Sequence, residues 1–208
     1  MLFLCTANKT SQIMITDRLR GETRPQHEAM EKVGFSDKIM SGQLSLDDYK
    51  ILIRNNYIMN QIMERGVEAV EGFTAIPGLN YESRKKGALL EKDLEVLGLN
   101  KAEIDANNYA FNFNNLHEAL GAFYVMEGST LGGSVISRQL AKTDSLSSVS
   151  EFNFYGCYGD MVGPNWKAFQ SVLLEQASDA TKEDQMVAGA AKAFDYFRVI
   201  FEESRGLA

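Results

Sequence analysis

The chain has 208 residues, 45% of them hydrophobic, with three prolines and a formal net charge of −7. That length suits one domain with a sizeable core, and the acidic balance argues against nucleic acid or an anionic membrane as the main partner. Long breaker-free stretches rich in Met, Leu and Ala predict an all-α fold.

The opening MLFLC lacks the basic flank and cleavage pattern of a signal peptide. No apolar run approaches the roughly 20 residues of a membrane span, so no membrane insertion is expected. Residues 1–14 read as a flexible extension and residues 15–208 as one helical domain. Cys5 and Cys157 form no motif and fit a reducing, cytoplasmic setting.

TDRLRGETRPQHEAMEKVG, residues 16–34, predicts a helix capped by Thr16 and stopped by Gly34. Leu19, His27, Met30 and Val33 fall near one stripe of it. Pro25 either kinks this helix or marks its true start near Thr23. The clearest helix follows, SLDDYKILIRNNYIMNQIMERGVEAVEG, in which Ser45 and Asp48 approximate a capping box. A shorter helix is expected over residues 83–97, where the run Arg84–Lys85–Lys86 reads as solvated surface or a docking patch. After a loop-rich passage from Asp105, a long helical pattern spans residues 114–142. A polar, aromatic and glycine-rich connector comes next. Its EFNFYGCYG could pass for an isolated strand, and its Phe152, Phe154, Tyr155 and Tyr158 are expected to pack it onto the core. Helices over residues 165–177 and 182–204 close the chain, making six to eight in all. Trp166, just behind Pro164, reads as a core residue, and the nine methionines as flexible core filler.

Two features stand out against this background. Gly128, Gly132 and Gly133 interrupt an apolar helical pattern, and interior glycine costs about 0.5–1 kcal/mol relative to alanine. The three mark a helix–turn–helix junction, a close helix crossing, or a backbone that must approach something flat and bulky. The second feature is His27, one of two histidines, with Glu31 four residues later on the same helical face. It is either a structural group or a ligand whose far nitrogen a carboxylate orients. One histidine cannot complete a zinc site, but one is enough for haem, whose porphyrin supplies the other nitrogens. His117 with Glu118 lacks the Glu-x-x-His spacing of a helical di-iron site and reads as structural. Cys157 has no identifiable basic partner and is a poor nucleophile.

LRGETRPQHEAME resembles the proximal-helix segment of the haem oxygenases, especially the bacterial biliverdin-producing branch. YVMEGSTLGGSVISRQL is similar to their distal helix, and YGDMVGPNWKAFQSVL and AKAFDYFRVIF to their later helices. The resemblance implies an all-α, single-domain fold holding haem between a proximal helix and a glycine-kinked distal helix. It implies His27 as the axial ligand of the iron, with Glu31 beside its other nitrogen. Gly128, Ser129 and Gly132 would form the catalytic distal surface, completed by Gly133. Arg20 would meet the haem propionates, with Arg24, Lys167, Arg138 and Arg198 as further candidates. Phe123, Phe194 and Phe201 would line the pocket. Many relatives carry an aspartate where this chain has Ser129; that aspartate organises water for proton delivery, and water held by Ser129, Thr130 and backbone groups would have to replace it. The implied reaction converts haem b, as cofactor and substrate together, to biliverdin, carbon monoxide and ferrous iron. It uses dioxygen and electrons from a separate reductase or ferredoxin, since no GxGxxG fingerprint is present. A biliverdin acceptor is a further possible partner. Three alternatives stay open: a haem carrier or sensor on the same fold, a helical interaction protein without haem, and a cofactor-independent or thiamine-related enzyme of similar architecture.

Overall fold

Eight α-helices carry most of the chain in a computed structural model that describes residues 11–206, with side chains from Ile15 onward. Cys5 and most of the expected 1–14 extension lie outside the described residues. In chain order the helices are α1 (Ser11–Glu22), α2 (Arg24–Val33), α3 (Ser36–Met40), α4 (Leu46–Glu68), α5 (Gly87–Val96), α6 (Leu116–Leu140), α7 (Val162–Gln176) and α8 (Ala180–Ser204). No strand occurs among the described residues, and EFNFYGCYG folds as turns.

Local chemistry explains most of these boundaries. The Ser45 hydroxyl accepts from the Asp48 amide at 3.0 Å while the Asp48 carboxylate accepts from the Ser45 amide at 3.3 Å, a complete capping box. Asn115 accepts from the amides of His117 and Glu118 to open α6, and Asp179 accepts from the Lys182 amide to open α8. The helix expected over residues 16–34 is two helices. Thr16 lies inside α1, not at its cap. The break falls at Thr23, whose hydroxyl turns back to donate to the Leu19 carbonyl at 2.6 Å. Pro25 then occupies the first turn of α2, where its missing N–H costs nothing. Residues 83–97 also divide: a tight turn at Tyr81–Arg84 precedes α5.

The core is organised around α6, which packs on α8, α7, α4 and α3. Its crossing with α8 is made by two reciprocal glycines. A Cβ on Gly121 would strike the Met186 backbone, and one on Gly189 would strike the Glu118 backbone. This places two helix axes closer than any side chain permits. The helix runs unbroken through Gly128–Gly133, which excludes the helix–turn–helix reading of those glycines.

Arg84 and Lys86 correct the expectation of a solvated basic run. They are 4% and 2% exposed, and both bind the Glu127 carboxylate, itself 1% exposed; only Lys85 of the three reaches solvent. The connector is fastened by another buried acid. Asp93 accepts from the Asn153 amide at 2.8 Å, from the Asn153 side chain at 3.0 Å and from the Phe154 amide at 2.8 Å. Burial pushes the Asp93 carboxyl above its usual range, although these three bonds favour its charge.

Candidate functional site

A cavity of about 760 Å³ lies between α2 and α6, within the range of small-molecule and cofactor pockets. The α2 side brings His27, Met30 and Glu31; the α6 side brings Tyr124, Gly128, Ser129 and Gly133. Phe194 and Phe201 of α8 also line it, as do Leu52, Asn56 and Met59 of α4. Phe154, Tyr155 and Cys157 reach in from the connector, and Trp166 from α7.

His27 is the best-placed ligand in this space. No residue of α2 is buried, so the imidazole stands open to the cavity. Its Nδ1 lies 3.7 Å from a Glu31 oxygen, an orienting contact longer than a direct hydrogen bond. The Phe194 ring packs near-perpendicular to the imidazole, at 5.5 Å between centroids. No described residue takes up Nε2, which leaves that nitrogen for a ligand.

Across the cavity, α6 presents backbone where other helices would present side chains. Gly128 faces the Trp166 ring, which a Cβ would approach at 3.8 Å. Gly133 faces the Tyr155 carbonyl oxygen. The Ser129 hydroxyl donates to the Met126 carbonyl at 2.8 Å and the Thr130 hydroxyl to the Glu127 carbonyl at 2.7 Å. Both hydroxyl protons are therefore committed to the helix, and each oxygen keeps lone pairs that accept from water.

Charge around the rim is uneven. Arg20 lines the cavity and has no carboxylate partner among the described residues. Arg24 also lines it, but its guanidinium binds Glu28 at 2.7 Å. Arg138 donates to the Ser134 carbonyl and Arg198 binds Glu202; neither they nor Lys167 lines the cavity. Burial raises the Tyr124 hydroxyl above its usual range, partly offset by the nearby Arg20 charge.

Nine of the ten residues singled out from the sequence lie in or beside this space; Phe123 does not. It sits on another face of α6, packed among Phe73, Tyr81 and Phe169. One position along a helix is a rotation of about 100°, and the pocket aromatic is its neighbour Tyr124, 5.6 Å from Trp166. Gly132 is beside the cavity, not in its wall; its Cβ would meet the wall residue Ile136. Trp166, expected in the core, is a wall residue. The connector aromatics divide: Phe154 and Tyr155 line the cavity, Phe152 packs on Tyr49, and Tyr158 donates to Glu127. Asn56 went unread in the sequence, although an asparagine pair inside an apolar helix was the available signal. Its amide donates to the Leu52 carbonyl at 2.8 Å and to the Tyr155 hydroxyl at 3.3 Å.

The remaining reactive groups lie elsewhere or are quiet. His117 sits at the start of α6 near Lys182, and burial, with that charge, holds its pKa below the usual value. Burial pushes the Cys157 thiol up; a basic neighbour, Lys86, is present after all, but Glu127 engages it. The donor set of the cavity fits haem. It offers one open imidazole, apolar and aromatic walls, a face of bare backbone and an unpaired guanidinium at the rim.

A family model described as Heme oxygenase matches residues 14–203. A heme oxygenase of Xanthomonas campestris pv. campestris (strain 8004) is 28% identical over 158 residues, which is 75% of this chain and 90% of that protein. Heme oxygenase-1 of the cyanobacterium Synechocystis sp. PCC6803, solved in complex with heme, superposes with a TM-score of 0.73 at 18% identity, over 93% of each chain. The heme oxygenase of Leptospira interrogans gives 0.72 at 18% identity, over 92% of this chain and all of that one. The NO- and CO-bound enzyme of Neisseria meningitidis gives 0.66 at 23% identity, over 94% of each chain. At these identities the solved structures establish a shared all-α fold.

Proposed function

The chain belongs to the Heme oxygenase family, and from that premise we propose that it binds haem in the cavity between α2 and α6 and cleaves it oxidatively. The products are biliverdin, carbon monoxide and ferrous iron. Dioxygen is the oxidant, and a separate reductase or ferredoxin delivers the electrons. The observation that carries this reading is the pairing of one open histidine on α2 with bare glycine backbone on α6 across a single cavity.

Bound haem supplies the iron that activates dioxygen and the porphyrin that is oxidised. The protein's part is to hold, orient and protonate. His27 would hold the haem iron through Nε2, and Glu31, beside Nδ1, would orient the imidazole for that contact. Arg20 would offer its guanidinium to a haem propionate and so help to fix how the group sits. Gly128 and its neighbours let backbone lie where a side chain would collide with the ring or with dioxygen. Ser129 and Thr130 accept from water, and that water carries the proton that an aspartate-bearing relative would route through its carboxylate.

A second reading has one observation in its favour. The Ser129 and Thr130 hydroxyls donate to their own helix, and the cavity's carboxylates, Glu28 and Glu31, lie on α2. A haem carrier or sensor would be built this way too. Anaerobic reconstitution with hemin, then reduction and exposure to air, separates the two, run on the wild type and His27→Ala. Decay of the Soret band with growth of a biliverdin band, lost in the variant, supports the enzyme. A stable Soret band that requires His27 supports the carrier, and no Soret complex in either protein sinks both.

A further inference from the structure

Three buried charges lie directly beneath the wall formed by α6. The Glu127 carboxylate receives the Arg84 guanidinium on one oxygen and the Lys86 ammonium, at 2.6 Å, on the other. The Tyr158 hydroxyl donates to the same carboxylate, at 3.1 and 3.3 Å from its two oxygens. Arg84 extends the cluster by donating to the Asn165 carbonyl at 3.3 Å and to the Leu79 carbonyl at 2.6 Å, and Lys86 by donating to the Arg84 carbonyl at 3.1 Å. The partners come from four segments: the turn before α5, the middle of α6, the connector, and the start of α7.

Three of the residues tied together are chain neighbours of cavity residues. Glu127 precedes Gly128, Tyr158 follows Cys157, and Asn165 precedes Trp166. Tyr158 adopts a left-handed backbone (φ 68), a conformation that tyrosine adopts only where its surroundings impose it. Stability alone does not account for such a cluster, because well-packed apolar residues of similar volume are commonly as stable as a buried ion pair. Directional bonds do something apolar packing does not: they fix the register of the segments they join.

We infer that the Arg84–Lys86–Glu127–Tyr158 cluster is a positioning device that sets the height and register of the Gly128–Ser129 backbone against Trp166 and Cys157. These are positioning residues, none of which lines the cavity itself. The consequence for turnover rests on the haem-cleaving reading; the consequence for the cavity wall does not.

The test uses the triple variant Arg84→Met/Lys86→Met/Glu127→Met, which removes the charges together and leaves no uncompensated ion. Hydrogen exchange on the ligand-free protein is the first readout. Peptides spanning residues 126–133 and 157–166 are expected to exchange at least about fivefold faster than in the wild type, with those of α4 and α8 unchanged. Hemin titration is the second: affinity stays within about twofold, because His27 lies on α2, while the rate of haem loss under reductant and air falls about tenfold or more. Wild-type exchange in both peptides, or full turnover in a variant of unchanged melting temperature, overturns the inference. If the triple variant fails to fold, Tyr158→Phe, which removes one donor and no charge, decides it: faster exchange in residues 126–133 and 157–166, with α4 and α8 unchanged, supports the role, and any other exchange pattern removes it. A wild type that binds hemin without degrading it overturns the haem-cleaving reading, and the exchange result still decides the positioning one.

Discussion

Gly133 and Tyr155 meet backbone to backbone: a Cβ on Gly133 would stand 2.7 Å from the Tyr155 carbonyl oxygen. The partner is main chain and cannot swing aside. Gly133→Ala therefore forces the connector away from α6, at a cost of about 1–3 kcal/mol of stability, as for other overpacked sites. Thermal or urea melts check the cost. Because Tyr155 and Phe154 are wall residues, the same variant is expected to broaden the Soret band of the hemin complex.

Gly128 behaves in the opposite way. Its Cβ would meet only the Trp166 ring, at 3.8 Å, an ordinary contact. Without a ligand, Gly128→Ala is expected to stabilise the protein by about 0.5–1 kcal/mol, the usual gain of alanine in a helix. With hemin the added methyl occupies ligand space, and affinity falls. Stability up and affinity down in one variant would mark a glycine kept for its ligand. Gly163→Ala in α7, whose Cβ would meet nothing within 4 Å and which lies outside the cavity wall, serves as the control: a similar gain in stability with hemin binding unchanged.

Most of the architecture was legible from spacing and caps. Ser45 with Asp48 and the glycines of α6 are local signals that survive without tertiary context. Placement around a helix was legible less often. Phe123 and Tyr124 differ by one residue, and only the packing of Phe73 and Phe169 against one of them decides which ring faces the cavity. The basic run at residues 84–86 was opaque for a different reason. A lysine or arginine is buried only where a partner compensates it, and Glu127 lies 43 residues from Arg84 and 41 from Lys86. The reciprocal glycines Gly121 and Gly189 were equally silent, each having meaning only against the other helix.

Arg20 is the cavity-lining guanidinium without a carboxylate partner among the described residues, whereas Arg24 is engaged by Glu28. Arg20→Ala is expected to weaken hemin binding about fivefold, matching an exposed ion pair of about 1 kcal/mol. The difference between variant and wild type should shrink as salt is raised, since the pair is solvent-accessible. Arg24→Ala should leave affinity unchanged. Hemin titrations at low and high salt measure both, and equal losses from the two variants would remove Arg20 from its assigned role.

His117 makes a prediction that needs no ligand. Burial, reinforced by the Lys182 charge, holds its pKa below the unfolded value. Between the two values the unfolded chain binds the proton and the folded one does not, so unfolding takes up protons and stability falls as pH drops. The loss begins as pH falls through about 6.5, the ordinary histidine value, and levels off below the depressed folded value. His117→Gln removes the group and should flatten that part of the curve. Urea melts of both proteins at pH 7.5, 6.5 and 5.5 (~, chosen to bracket the ordinary value) provide the comparison. If the two curves stay parallel throughout, another group drives the acid sensitivity.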